Sequence, residues 1–311
     1  MQLSELMAQR NKLLEECGLL ETGRFSSKGR ALFRKAAQVE EQIYRLLKHQ
    51  GDEERFKHMV NALVCYRQAG DVIQMLRIHR LVMADQAPQR QKARSRFALL
   101  RALIRFKDRL QSLDLSGLIV GKINLRDANL AGASFRNCRL MRTDLRGAEL
   151  SGANMEGALL TGVRLDGAQL GGSYWKGAEL ARCSAVECCF DRAYIIEAQF
   201  DGLKMDGSSL QSAIIQNSSL LRAGMERCDL TSASCTRSKF EGANLENAVM
   251  VNAVFSECDF QGAILINAQR RGAKFDRVRM DGAFTEESGF KNGGKGKYGS
   301  GEFKRSAFGK L

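Results

Sequence analysis

The chain has 311 residues, 44% of them hydrophobic and 27% charged, and a formal net charge of +13. That composition excludes wholesale disorder, and the lack of an apolar run of roughly 18 residues excludes a membrane-spanning helix. Nine cysteines lie in no CxxC pair and have three histidines (His49, His58, His79) beside them, so no disulfide framework and no metal site is expected. Met1 to Arg10 carries Glu5 and no apolar core stretch, so it does not read as a secretory signal, and a cytoplasmic location is expected. A single proline, Pro88, among 30 glycines suits a solenoid with identical tight corners better than a bundle or an α/β enzyme.

In chain order, residues 1–112 carry a helical pattern. Breaks at Thr22-Gly23, Gly51-Asp52, Gly70-Asp71 and Ala87-Pro88 divide them into four to five helices. Leu32, Ala36, Val39, Ile43, Leu46 and Leu47 have the spacing of one apolar helix face. This segment holds 22 Lys and Arg against 12 Asp and Glu. In its last helix Leu99, Leu103, Phe106 and Leu110 form an apolar stripe, with Arg90, Arg94, Arg101 and Arg105 opposite as a candidate basic face. Such a face attracts phosphate without sequence preference, so nucleic acid is one partner class for it.

Residues 113–290 are a five-residue repeat. Of the 36 positions met by reading every fifth residue from Leu115 to Phe290, 32 are Leu, Ile, Val, Met, Phe or Trp; Ala185, Cys235, Arg270 and Thr285 are the exceptions. Two residues before each lies a second column, in which 30 of 36 are Ala, Ser, Cys or Thr. A period of five keeps neither column on one side of a helix or a strand. Each pentapeptide must therefore be one side of a turning coil, with its large residue pointing to the axis and its small one at the corner.

Stretches such as Ala128-Asn129-Leu130-Ala131-Gly132 and Ala243-Asn244-Leu245-Glu246-Asn247 resemble the pentapeptide-repeat family, whose motif is A(D/N)LXX. The resemblance implies a right-handed β-helix of square cross-section, four pentapeptides to a coil, about nine coils over 113–290. At the roughly 4.8 Å spacing of neighbouring strands it would be about 43 Å long. The fold class expected is mainly β, with an all-α N-terminal domain over 1–112.

Residues 20 apart then stack on one face. The column before the central residue contains Tyr174, Tyr194, Ile214 and Val254, joined by Ile196. Near the C-terminal end Val249, Val251, Val254, Ile264 and Ile266 also point outward. Contiguous exposed apolar residues mark interfaces, so these nine are the candidate interface, the C-terminal group serving a second subunit or the chain's own tail. A third column holds Asp166, Asp206, Glu226 and Glu246, a candidate acidic face. Relatives that shield DNA gyrase from quinolones are thought to imitate DNA with such a line. The repeat segment nevertheless carries 20 basic against 22 acidic residues, which is close to neutral.

Residues 291–311, rich in Gly and Lys, read as a flexible tail. Neither HExxH, GxSxG nor a phosphate-binding glycine loop occurs, and the histidines all lie before residue 113. The expected function is a non-enzymatic scaffold or adaptor for a protein partner, without catalytic residues, cofactor or metal. The alternatives are a DNA-mimicking topoisomerase modulator and a nucleic-acid binder acting through the basic helices. The layout also resembles secreted bacterial effectors that carry a pentapeptide solenoid behind a different N-terminal region.

Overall fold

The computed structural model describes residues 2–18, 27–49, 54–85 and 87–285. It divides into two compact units, Met1–Phe106 and Lys107–Leu311. The expected breaks at Thr22-Gly23 and Gly51-Asp52, and the expected tail over 291–311, lie outside the described residues.

The described residues of the first unit form five α-helices: α1 (Leu3–Gly18), α2 (Ser27–His49), α3 (Arg55–Ala69), α4 (Val72–Ala84) and α5 (Gln89–Arg105). Helix α2 packs against α1 and α3, and α3, α4 and α5 pack on one another. Val39, Ile43 and Leu47 of the predicted apolar face close with Leu6 into a buried cluster. The Gly70-Asp71 break is built from two caps. Gly70 turns left-handed at φ 72°, which lets the Gly70 and Asp71 amides donate back to the Arg67 and Tyr66 carbonyls. Asp71 then caps α4 by accepting from the Gln74 amide at 3.2 Å.

Polar side chains are buried between these helices. Glu40 meets His58 Nδ1 at 2.6 Å, and Glu41 accepts from the Tyr66 hydroxyl at 2.6 Å and from Arg77 at 2.5 Å. His79 Nδ1 lies 2.8 Å from Ser95 Oγ, joining α4 to α5. Each pair satisfies groups whose solitary burial would be costly.

The second unit is a parallel β-solenoid of about eight turns within the described residues, the quadrilateral β-helix that the repeat implies. Its regular strands are β1 (Ile119–Gly121), β2 (Arg139–Met141), β3 (Leu159–Thr161), β4 (Glu179–Ala181), β5 (Tyr194–Ile196), β6 (Ile214–Gln216), β7 (Ser234–Thr236), β8 (Val254–Ser256) and β9 (Lys274–Asp276). Strands β1–β4 form one sheet and β5–β9 another, every pairing parallel and 20 residues apart. Single bridges at the same spacing, such as Asn124↔Asp144 and Asn129↔Glu149, supply ladders on the other two faces.

Central residues fill the axis. Trp175, Phe190, Phe200, Phe240, Phe255 and Phe260 are fully buried. Phe240 stacks on Phe260 at 4.7 Å between ring centroids, and Phe255 on Phe275 at 5.1 Å, each pair one turn apart. Trp175 Nε1 donates to Ser173 Oγ at 2.7 Å, so its one polar atom is satisfied inside. Small polar corner residues replace turn bonds in places: Ser218 Oγ accepts from the Ala198 amide at 3.1 Å and donates to the Ile195 carbonyl at 3.1 Å.

The register begins earlier than residue 113. The Leu110 amide donates to the Asn129 carbonyl at 3.1 Å and Ser112 to Ala131 at 2.7 Å, so residues 108–112 already form a pentapeptide with Leu110 at its centre. Leu110 accordingly does not belong to the α5 stripe, because α5 ends at Arg105. Arg270 is half-buried at its central position.

Candidate interaction face

Four faces follow from the register, with central residues 115–275, 120–280, 125–285 and 110–270 in steps of 20. On each, the residues just before and just after the centre point outward. Their backbone is held in two ways. An Asn or Asp before the centre accepts the amide of the residue after it, as Asn154 does from Glu156 at 2.9 Å and Asn244 from Glu246 at 3.1 Å. Elsewhere an Asp after the centre reaches one turn onward: Asp201 accepts from the Leu221 amide at 3.0 Å and from the Ser219 hydroxyl at 2.5 Å.

This second device absorbs half of the predicted acidic face. Asp166 accepts from the Val186 amide at 3.2 Å and from the Ser184 hydroxyl, and Asp206 from the Glu226 amide at 2.9 Å. Glu226 pairs with Arg227 at 3.2 Å. Arg126 and Arg146 occupy the same column, and Arg146 holds Asp144 at 2.7 Å, its guanidinium lowering the pKa of that carboxyl. The four acids do share the third face, yet two of them stitch turns together and Val186 interrupts the row.

The first face is different. Tyr174, Tyr194 and Ile214 follow one another in neighbouring turns through parallel pairings, and Ile196 stands beside Tyr194 on the same strand. The Tyr174 and Tyr194 rings lie 6.3 Å apart, tilted by 54°. Tyr194 is 43% exposed while Tyr174, Ile196 and Ile214 are half-buried. The four make one apolar and aromatic ladder carrying two hydroxyls. Val254 lies on the same face, 38% exposed, but Ser234 separates it from Ile214.

The structure does not bring the C-terminal group together. Val249 and Val251 lie on the fourth face, Val254 on the first, and Ile264 with Ile266 on the third, so a corner intervenes between each set. Ile264 instead pairs with Phe284, which is 53% exposed and absent from the sequence expectation. A further apolar group, Ile119, Met141 and Leu159, occupies the second face. Reading the outward columns on all four registers finds both.

In the first unit Arg90, Arg94, Arg101 and Arg105 are all exposed on α5, opposite buried Ala98, Leu99, Ala102 and Leu103. Phe97, 61% exposed, stands among them with the Arg101 guanidinium 5.6 Å from its ring, so the basic face does include an aromatic residue. Arg67 adjoins, its pKa lowered by burial and by Arg101 and Arg105. Cys188 is buried with its thiol pushed up to about 12 by desolvation, and burial also raises half-buried Cys189, which makes both poor nucleophiles. No helix of the described residues is long and apolar enough to cross a membrane.

A family model of pentapeptide repeats matches eight copies in the chain, over residues 123–162, 215–247, 233–269 and 253–284. No curated protein matches. Among solved structures, the chain is similar to HetL, a pentapeptide repeat protein involved in heterocyst differentiation regulation from the cyanobacterium Nostoc sp. strain PCC 7120. The identity is 21% over 63% of this chain and 98% of that one, with a TM-score of 0.38. It is also similar to full-length QnrB1, a plasmid-mediated fluoroquinolone resistance protein, at 14% identity over 54% and 85% of the two chains and a TM-score of 0.33. A pentapeptide repeat protein of the Arabidopsis thaliana thylakoid lumen follows at 20% identity, 37% and 66% coverage and a TM-score of 0.17.

Proposed function

The chain belongs to the pentapeptide-repeat family, and from that premise we propose that it is a non-enzymatic scaffold that docks a protein partner on the first face of its solenoid. The observation that carries the reading is the unbroken ladder of Tyr174, Tyr194, Ile196 and Ile214 over three successive turns. Tyrosine is enriched at binding hot spots because it offers a large rigid apolar surface with one polar tip. The solenoid holds these side chains on a ladder whose every rung is hydrogen-bonded, so little ordering cost remains for binding.

A scaffold rather than an enzyme is supported by the arrangement of polar groups. Among the described residues, His58 and His79 are buried against Glu40 and Ser95 inside the helical unit, and the solenoid axis is filled by side chains. A reducing compartment such as the cytoplasm is supported by the eight cysteines whose side chains are described, from Cys65 to Cys258, which are free thiols. DNA mimicry draws less support, since Asp166 and Asp206 are engaged with the next turn and arginines share their column.

The test is a double substitution in the full chain. Tyr174→Glu with Tyr194→Glu should leave the circular dichroism spectrum and melting point near those of the wild type and lower affinity for the partner captured from native cells by about a hundredfold or more. Undiminished capture would place the partner elsewhere.

One observation favours a second reading, an anionic partner on α5: the arginine row with Arg67 and Phe97. It makes its own prediction, binding to single-stranded nucleic acid that weakens steeply with salt and loses about one unit of slope for each arginine removed. Binding unchanged by Arg94→Ala and Arg101→Ala would dismiss it.

A further inference from the structure

The edge where the second face turns into the third carries charge of one sign. Lys122, Arg142, Arg182 and Arg222 take the last place of their pentapeptides on the second face, and Arg164 and Lys204 the first outward place on the third. The two columns run side by side, so one cation stands on each of six successive turns; where Gly162 and Gly202 fill the corner, the neighbouring column supplies it. All six are exposed, and none is ion-paired among the described residues. Glycine leaves room for the stems: a Cβ added at Gly162 would stand 3.6 Å from Arg142 Cγ, and one at Gly242 3.4 Å from Arg222 Cγ. The one acid in these columns over the six turns, Asp144, is held by Arg146 at 2.7 Å. Asp166, Asp201 and Asp206 beside them are tied to the next turn. The other three edges carry both signs.

Next to this row the second face begins aliphatic. Exposed Met141 precedes Arg142, and exposed Ile119 and half-buried Leu159 flank Arg139 on the same strands. That border narrows the choice of ligand. A single nucleic-acid strand needs aromatic platforms for its bases, and no aromatic residue takes an outward place on the second or third face of these turns. An extended acidic peptide presents a side chain to one side about every 6.8 Å, out of step with turns about 4.8 Å apart. An α-helix presents one about every 5.4 Å, so over six turns its acids drift by about 3 Å, within the reach of Arg and Lys stems.

We propose that this edge seats an acidic amphipathic helix of a partner protein, about 16 residues long, with carboxylates on the six cations and an apolar side on Ile119, Met141 and Leu159. The site is separate from the Tyr174 and Tyr194 ladder on the first face, so either can fail without the other.

Fluorescence anisotropy of the full chain tests the proposal with a labelled synthetic peptide of about 18 residues, built from Glu, Leu and Ala so that its helix carries Glu along one side and Leu along the next. Arg142→Glu with Arg182→Glu should weaken binding by about tenfold or more and keep the wild-type melting point. The fold tolerates glutamate at such corners, as Glu187 and Glu197 show. Met141→Ser should weaken binding by about threefold or more, and Arg94→Ala with Arg101→Ala on α5 should leave it unchanged. A scrambled peptide of the same composition, with Glu on every side, should bind at least about tenfold more weakly. The proposal is overturned if the wild type does not bind the helical peptide at low salt, or if the folded charge-reversed variant binds it equally well. Equal binding of the scrambled peptide would overturn it by making the edge a general polyanion site. Tighter binding of a dT oligonucleotide of like charge would overturn it in favour of nucleic acid, and loss of binding in the α5 pair would move the site to the helices.

Discussion

Every fifth residue from Ser112 to Gly282 has a positive φ, 35 positions of which 15 are glycine and 20 are not. The reason is local. Leu130 O accepts from the Ala133 amide at 3.0 Å, a tight turn whose third residue, Gly132, must be left-handed. For a residue with a Cβ this costs about 1–2 kcal/mol, and the inter-turn ladder has to offset it at Arg182, Glu187 and Arg192 alike. The glycines at this place are legible in the sequence as corners. The arginines and glutamates are not, because nothing in their chemistry favours that conformation and only the repeat imposes it. Two glycines separate conformation from contact. At Gly152 (φ 65°) an added Cβ meets nothing, whereas at Gly157 (φ 63°) it would strike the Asn137 side chain. Gly152→Ala should cost about 1 kcal/mol and Gly157→Ala at least about 1 kcal/mol more in denaturant unfolding; equal costs would show that Asn137 yields freely.

At the scale of elements, the five helices and the Gly70-Asp71 turn follow from recognisable signals, since periodicity, glycine and aspartate act within a few residues. Glu40 and Glu41 were not legible as buried groups. A glutamate in a helix reads as surface, and the partners that permit its burial stand far off in sequence: His58, Tyr66 and Arg77. His79 is the same case with a measurable consequence. Desolvation, with Arg96 and Arg80 adding to it, lowers its pKa from 6.5 to about 4. Its proton is therefore taken up more readily by the unfolded chain. Its contribution is complete above pH 6.5 and is lost as pH falls towards 4, a change of up to about 3 kcal/mol. His79→Asn, which keeps a group for Ser95 without that titration, should flatten the acid limb of helical unfolding between those values. An equally steep limb in the variant would assign the pH dependence to other groups.

For the whole molecule, the register gave the order of faces before any coordinate did, because residues 20 apart must stack when four pentapeptides close a turn. It could place Tyr174, Tyr194, Ile196 and Ile214 in one ladder. It could not tell an acid that faces solvent from one that stitches turns, because Asp166 and Asp206 depend on the amides of the following turn. The sequence reading also grouped Val249 with Ile264, which lie near in sequence but on different faces of the solenoid. The scaffold reading is tested most directly by a photoreactive amino acid placed at residue 194 in the full chain inside its native cell, with residue 239 on the neighbouring face as the control. A discrete crosslinked protein at 194, weakened by Tyr174→Glu and missing at 239, is the predicted result; no adduct at 194, or the same adducts at both positions, would contradict it.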